Sequence, residues 1–126
     1  MTAGIHDLHL EQGATFRLSV TLLQAVVPPA TVGLPVDLTD CVARMQIRAT
    51  VADPAVLLSL TTGELPAGGI TLGGVAGTIS VLITDEQTAA LTIIKGRYDL
   101  EVERVGGGDV VRYLKGRVYV DPEVTR

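Results

Sequence analysis

Two histidines flank an aspartate near the start of the chain, in the run His6-Asp7-Leu8-His9. By residue type this could hold zinc, since imidazole and carboxylate both donate well to that ion. The spacing argues against it. Along an extended strand His6 and His9 point to opposite faces, and the sequence has no third histidine and only one cysteine to complete a tetrahedral set. The pattern predicts two solvated histidines on a terminal arm, with no metal and no cofactor.

The single cysteine, Cys41, would need a neighbouring base and an oxyanion donor set to act as a nucleophile. Both histidines lie far off in the N-terminal arm, so Cys41 reads as a small hydrophobe at a strand start. Asp99, Glu101 and Glu103 fall on one face of an alternating segment. They supply acid-base or Ca²⁺-binding residue types, yet the same spacing arises on any charged solvent face. Arg44, Gln46 and Arg48 offer a facing row for cross-strand pairing. The glycine pairs and triplet (Gly68-Gly69, Gly73-Gly74, Gly106-Gly107-Gly108) lack the strand–glycine–helix context and the Lys-Ser/Thr of a phosphate loop, and read as turns. Tyr113 and Tyr119 are the candidate sugar platforms in a chain without tryptophan, although a strand-packing role suits them better. No catalytic set can be assembled, and the chain is read as a non-enzyme.

These residues must be positioned by strands. The chain has 126 residues, 47% hydrophobic and 19% charged, enough for one domain with a real core. With one Phe, three Tyr and no Trp, that core is built from Val, Leu, Ile and Ala, and β-branched residues favour strands. The net charge of −4 and the lack of a Lys/Arg run disfavour nucleic acid and anionic membranes. Met1 to Asp7 has neither a basic start nor an apolar segment, so no secretory signal is expected. A lone cysteine suits a reducing compartment. Folding in a cytoplasm is the expectation.

Alternation with period two dominates. Phe16-Arg17-Leu18-Ser19-Val20-Thr21-Leu22 is the clearest strand. Ile5 to Leu10 alternates less cleanly and predicts an edge strand or extended arm. Ala43, Met45 and Ile47 form one face of a second strand. Ala55 to Leu60 is apolar on both faces and predicts a doubly covered strand. Further strands are expected at Ile70–Leu72, Thr78–Ile83, Arg97–Glu103 and Val110–Leu114, with a bulge at Gly116 before Val118-Tyr119-Val120. Pro28-Pro29 and Gly33-Leu34-Pro35 mark a loop. Thr84 followed by Gln87 predicts a capping box opening one short helix near 84–91. The sum is an all-β chain, read as an immunoglobulin-like antiparallel β-sandwich of seven to nine short strands. An arm spans 1–12, the sandwich 13–121 and a tail 122–126. Thr84, Gly96 and Tyr98 are the candidate fold-defining residues. Tyr98 stands where a tyrosine at the start of the penultimate strand can turn its hydroxyl back to the preceding corner, or can be an ordinary half-buried strand tyrosine.

The succession Val36-Asp37-Leu38-Thr39, Ala43-Arg44-Met45-Gln46-Ile47-Arg48, Gly69-Ile70-Thr71-Leu72 and Gly77-Thr78-Ile79 resembles small tail-region proteins of bacteriophages. Tyr98-Asp99-Leu100-Glu101-Val102, Gly116-Arg117-Val118-Tyr119-Val120 and the closing Pro122-Glu123-Val124-Thr125-Arg126 are similar to that group as well. The likeness runs over most of the chain from Phe16 onward. It implies an immunoglobulin-like structural part of a virion tail, in a baseplate or at a fibre attachment, assembled in the host cytoplasm with other tail proteins and probing neither nucleic acid nor membrane. It carries no catalytic residues. The longer loop with Pro28, Pro29 and Gly33 departs from the compact form. Ile5, His6, Leu8, Pro28, Pro29, Leu34, Val124 and Arg126 are the candidate partner contacts on arm, loop and tail. A receptor- or carbohydrate-binding module and a capsid decoration protein are the alternatives.

Overall fold

The computed structural model describes residues 4–24, 33–62, 69–106 and 108–124. Along them run β1 (Gly4–Ile5), β2 (Leu8–Glu11), β3 (Phe16–Thr21), β4 (Cys41–Arg48), β5 (Leu58–Thr62), β6 (Gly69–Leu72), β7 (Thr78–Ile83), α1 (Asp85–Ala89), β8 (Lys95–Arg104) and β9 (Val110–Asp121), with a 3-10 turn at Gly74–Ala76. Alternating side chains put one face of each strand in the core. Ala43, Met45 and Ile47 are buried on β4, Tyr98, Leu100 and Val102 on β8, and Ile79, Val81 and Ile83 on β7. Their polar alternates face water, as a sheet with one covered face requires.

All these strands belong to one mixed sheet that curls into a half-barrel. β1 and β2 both lie on β9, and the order continues β8, β4, β5, β6, β7, β3. The all-β reading therefore holds, while the expected pair of facing antiparallel sheets is replaced by one continuous sheet. Two sectors are antiparallel, β9–β8–β4–β5 and β6–β7–β3. They meet at a short parallel seam, Thr61 beside Gly69 and Thr62 beside Ile70. β1 and β2 are also parallel to their partner β9, contrary to an all-antiparallel expectation.

Residues 12–15 carry the chain from β2 at one end of the sheet to β3 at the other, and α1 buttresses this corner. The Thr88 hydroxyl, fully buried, accepts from the Gly13 N–H at 3.0 Å and donates to the Ala14 carbonyl at 2.9 Å. The Gln12 amide reaches the Leu91 carbonyl at 3.2 Å and accepts from the Glu123 N–H at 2.9 Å. The helix starts where the sequence places it. Thr84 and Gln87 exchange side-chain-to-backbone bonds in a capping box, with Asp85 and Glu86 in the first turn, each favourable at the positive end of the helix.

Two local expectations are corrected. Ala55, Val56 and Leu57 are exposed, and strand structure begins only at Leu58, with Leu60 facing the core. A run of apolar residues without alternation does not reveal where a loop hands over to a strand. The bulge in β9 lies at Tyr113, not at Gly116: the register passes from Leu100 beside Leu114 to Glu101 beside Arg112. Among the described residues, no helix is long and apolar enough to cross a membrane.

Candidate interaction surfaces

Gly116 has a different task from bending a strand. It sits opposite Tyr98 across β8–β9, and a Cβ there would collide with the His6 carbonyl and crowd the Asp7 carboxylate. Glycine is thus the residue that lets the arm approach the sheet. The arm is then fixed at three points. The Tyr98 hydroxyl donates to the His6 carbonyl, the Arg117 N–H donates to Asp7 Oδ1 at 2.9 Å, and the His6 N–H donates to the Lys115 carbonyl at 3.0 Å. Burial first, and then the charge of Asp7, push the Tyr98 phenol up to about 12. It therefore stays a neutral donor far above neutral pH.

This alters the expected role of Tyr98. Its hydroxyl does not return to the preceding corner but holds the N-terminal arm, from the opposite end of the sequence. Gly96, buried one step earlier, is packed so closely that a Cβ would press on the Arg48 carbonyl and the Ile93 side chain, both at 2.8 Å. Among the candidate contacts, Leu8 is 1% exposed and belongs to the core. Inward alternation on an edge strand buried it. Ile5, Leu34 and Val124 are open at 77%, 70% and 93%, and His6 is exposed. Pro28, Pro29 and Arg126 lie outside the described residues.

His6 and His9 are both exposed, and His9 stacks on Tyr119 with ring centroids 5.1 Å apart. Among the described residues no group of three His, Cys, Asp or Glu side chains is gathered for a metal. Cys41 is half-buried at the start of β4, its thiol 3.7 Å from the Thr39 carbonyl. Tyr113 is half-buried at the bulge.

No protein-family model matches the chain, and no curated protein matches its sequence. The surfaces themselves therefore carry the argument.

The first surface is the outer edge of β3. Among the described residues β3 is terminal in the sheet order and pairs only with β7. The Leu22 N–H donates to the Gly77 carbonyl at 2.8 Å, which sets the phase of the ladder. Leu18 and Val20 share that phase and bond toward β7, so the N–H and C=O groups of Arg17, Ser19 and Thr21 point away from the sheet. Phe16, Leu18 and Val20 on the inner face are only half-buried, whereas Ile79, Val81 and Ile83 beside them on β7 are buried.

The second surface is the outer face of β4, β8 and β9. Here register brings Arg44 beside Glu101, Gln46 beside Asp99 and Arg48 beside Arg97, with Arg97 in turn beside Arg117. Arg44 reaches Glu101 and Glu103, each at 3.3 Å, and Arg112 reaches Asp99 at 3.4 Å. Hydrogen bonding to Glu103 holds Arg44 above its already high pKa. Of the facing row expected for the three carboxylates only Arg44 pairs with them, at Glu101 and Glu103, while Arg48 faces Arg97 and Asp99 is paired by Arg112 of β9. These partly exposed ion pairs are each worth under about 1 kcal/mol. The arginine row was missed. Arg97 and Arg117 fall opposite each other only because the bulge at Tyr113 shifts the β8–β9 register by one residue, and Arg48 joins them only through the long-range β4–β8 register.

Proposed function

We propose that this chain is a structural component of a bacteriophage tail, a baseplate or fibre-attachment module that works through protein contacts and performs no catalysis. The open edge of β3 carries the proposal. A terminal strand with outward N–H and C=O groups at Arg17, Ser19 and Thr21 and a half-buried apolar row at Phe16, Leu18 and Val20 has the features that strand addition uses. An added strand gains backbone hydrogen bonds and completes the burial of that row. The likeness to phage tail proteins supplies the setting: the virion as its place and other tail subunits as its partners.

In the same reading the curled sheet is an opened immunoglobulin-like sandwich. The two antiparallel sectors stand for its two sheets, the chain crosses between them at residues 12–15, and a short capped helix leads into the penultimate strand β8.

The variant Ser19→Pro tests the assembly role. It removes an N–H that points away from β7, so the β3–β7 ladder is kept while the edge is blocked. Light scattering and co-purification with tail particles are expected to show an oligomer or complex for the wild-type chain and a folded monomer for S19P. A wild-type chain that stays monomeric and associates with no tail subunit would overturn the reading.

A further inference from the structure

The outer face of β4, β8 and β9 collects seven of the chain's ten Lys and Arg residues: Arg44 and Arg48, Lys95 and Arg97, and Arg112, Lys115 and Arg117. Among the described residues, the acidic residues on this face are Asp99, Glu101 and Glu103 on β8 and Asp121 at the end of β9. In a chain of net charge −4, this face is a positive island.

Its charge is not evenly matched. At one end cations alternate with anions across the strands, and Arg44 and Arg112 form ion pairs. At the other end Arg48, Arg97 and Arg117 stand side by side in register. Neighbouring strands are about 4.8 Å apart, so the row is about 10 Å wide. Like charges placed directly opposite repel. Arg48 bonds only neutral acceptors, the Asp53 carbonyl at 2.8 Å and the Gln46 amide at 3.0 Å. The nearby Tyr119 hydroxyl first, and then the field of Asp7, hold the Arg117 guanidinium above its ordinary pKa. Among the described residues none of the three is within ion-pair distance of a carboxylate. A depression of about 480 Å³ opens beside Arg48 and Arg97; Arg44, Gln46, the exposed Val51 and the carboxylates of Asp99 and Glu101, already ion-paired to Arg112 and Arg44, also line it, and Arg117 stands outside it. That volume admits a carboxylate side chain with its own backbone.

We propose that the Arg48–Arg97–Arg117 row is a docking site for an acidic segment of another protein, one of whose Asp or Glu carboxylates enters this depression between Arg48 and Arg97 while another meets Arg117 beside it. Guanidinium forks suit carboxylates, which they bind through two parallel hydrogen bonds. A long polyanion such as nucleic acid fits poorly, because along β8 the outer residues change from Lys95 and Arg97 to Asp99, Glu101 and Glu103. The complementary acidic patch is therefore short and borders a neutral or basic stretch. This surface is separate from the β3 edge and does not depend on it.

The test is an NMR titration of the isotope-labelled full chain, carrying S19P so that it is monomeric whatever the β3 edge does, with hexaglutamate at low salt. Saturable shifts are expected at Arg48, Arg97 and Arg117. Arg97→Gln is expected to weaken binding roughly tenfold, the loss of one charge-assisted contact, while raising the melting temperature through relief of repulsion. Arg104→Gln makes the same charge change off this face and is expected to leave affinity unchanged. Absence of saturable shifts, equal weakening by R104Q, a lower melting temperature for R97Q, or tighter binding of an oligothymidylate of equal charge would each overturn the proposal.

Discussion

The two ends of the curled sheet are finished in opposite ways. At one end β2 lies on β9 with Leu8 and Leu10 buried at 1% each, and the arm is latched by Tyr98 and Asp7 over a glycine that makes room for it. At the other end β3 keeps its inner apolar row half-buried and its outward backbone groups unpaired among the described residues. A sheet edge is an aggregation hazard unless it is covered. The contrast teaches that the fold covers one edge with its own chain and, among the described residues, leaves the other open.

Substitutions on the covered edge are expected to cost stability, and substitutions on the open one association. Leu8→Ala is expected to cost about 3 kcal/mol, the loss of a fully buried leucine, measured by denaturant unfolding; a cost no larger than that of a surface change would mean that the arm is not core. Gly116→Ala should cost about 2 kcal/mol by forcing the arm off β9, with faster exchange of the His6 amide as its signature. Tyr98→Phe removes one hydrogen bond and should cost about 1 kcal/mol. It also carries a pH test. The Tyr98 phenol is raised in the folded state, so its contribution is fully present below the ordinary tyrosine pKa of about 10 and fades as pH rises through about 12. The stability gap between wild type and Y98F is expected to narrow over that alkaline window and to be constant below it. Ser19→Pro, on the open edge, should change stability by under about 0.5 kcal/mol while abolishing assembly.

Much of this was legible from local signals. The alternation at Phe16–Thr21 and Ala43–Ile47, the Thr84–Gln87 box and the glycine turn joining β8 to β9 each depend on neighbours in sequence, and each gave the right element. The placement of the arm did not, because its parallel pairing joins residues from opposite ends of the chain and no short pattern distinguishes parallel from antiparallel partners. Gly116 was legible as special but not as a clearance, since the group it clears, the His6 carbonyl, is equally remote. The bulge had a signal that alternation alone passed over: Tyr113 and Leu114 are adjacent and both partly buried, which one face of a regular strand does not permit. The arginine row needed the register of three strands at once.

Residue-resolved amide exchange on the dilute chain tests the central contrast most directly. The account predicts fast exchange at Arg17, Ser19 and Thr21 beside slow exchange at Leu18 and Val20, with the first set becoming protected on assembly. Slow exchange at both sets in the dilute monomer would show that the β3 edge is already paired, and would contradict the account.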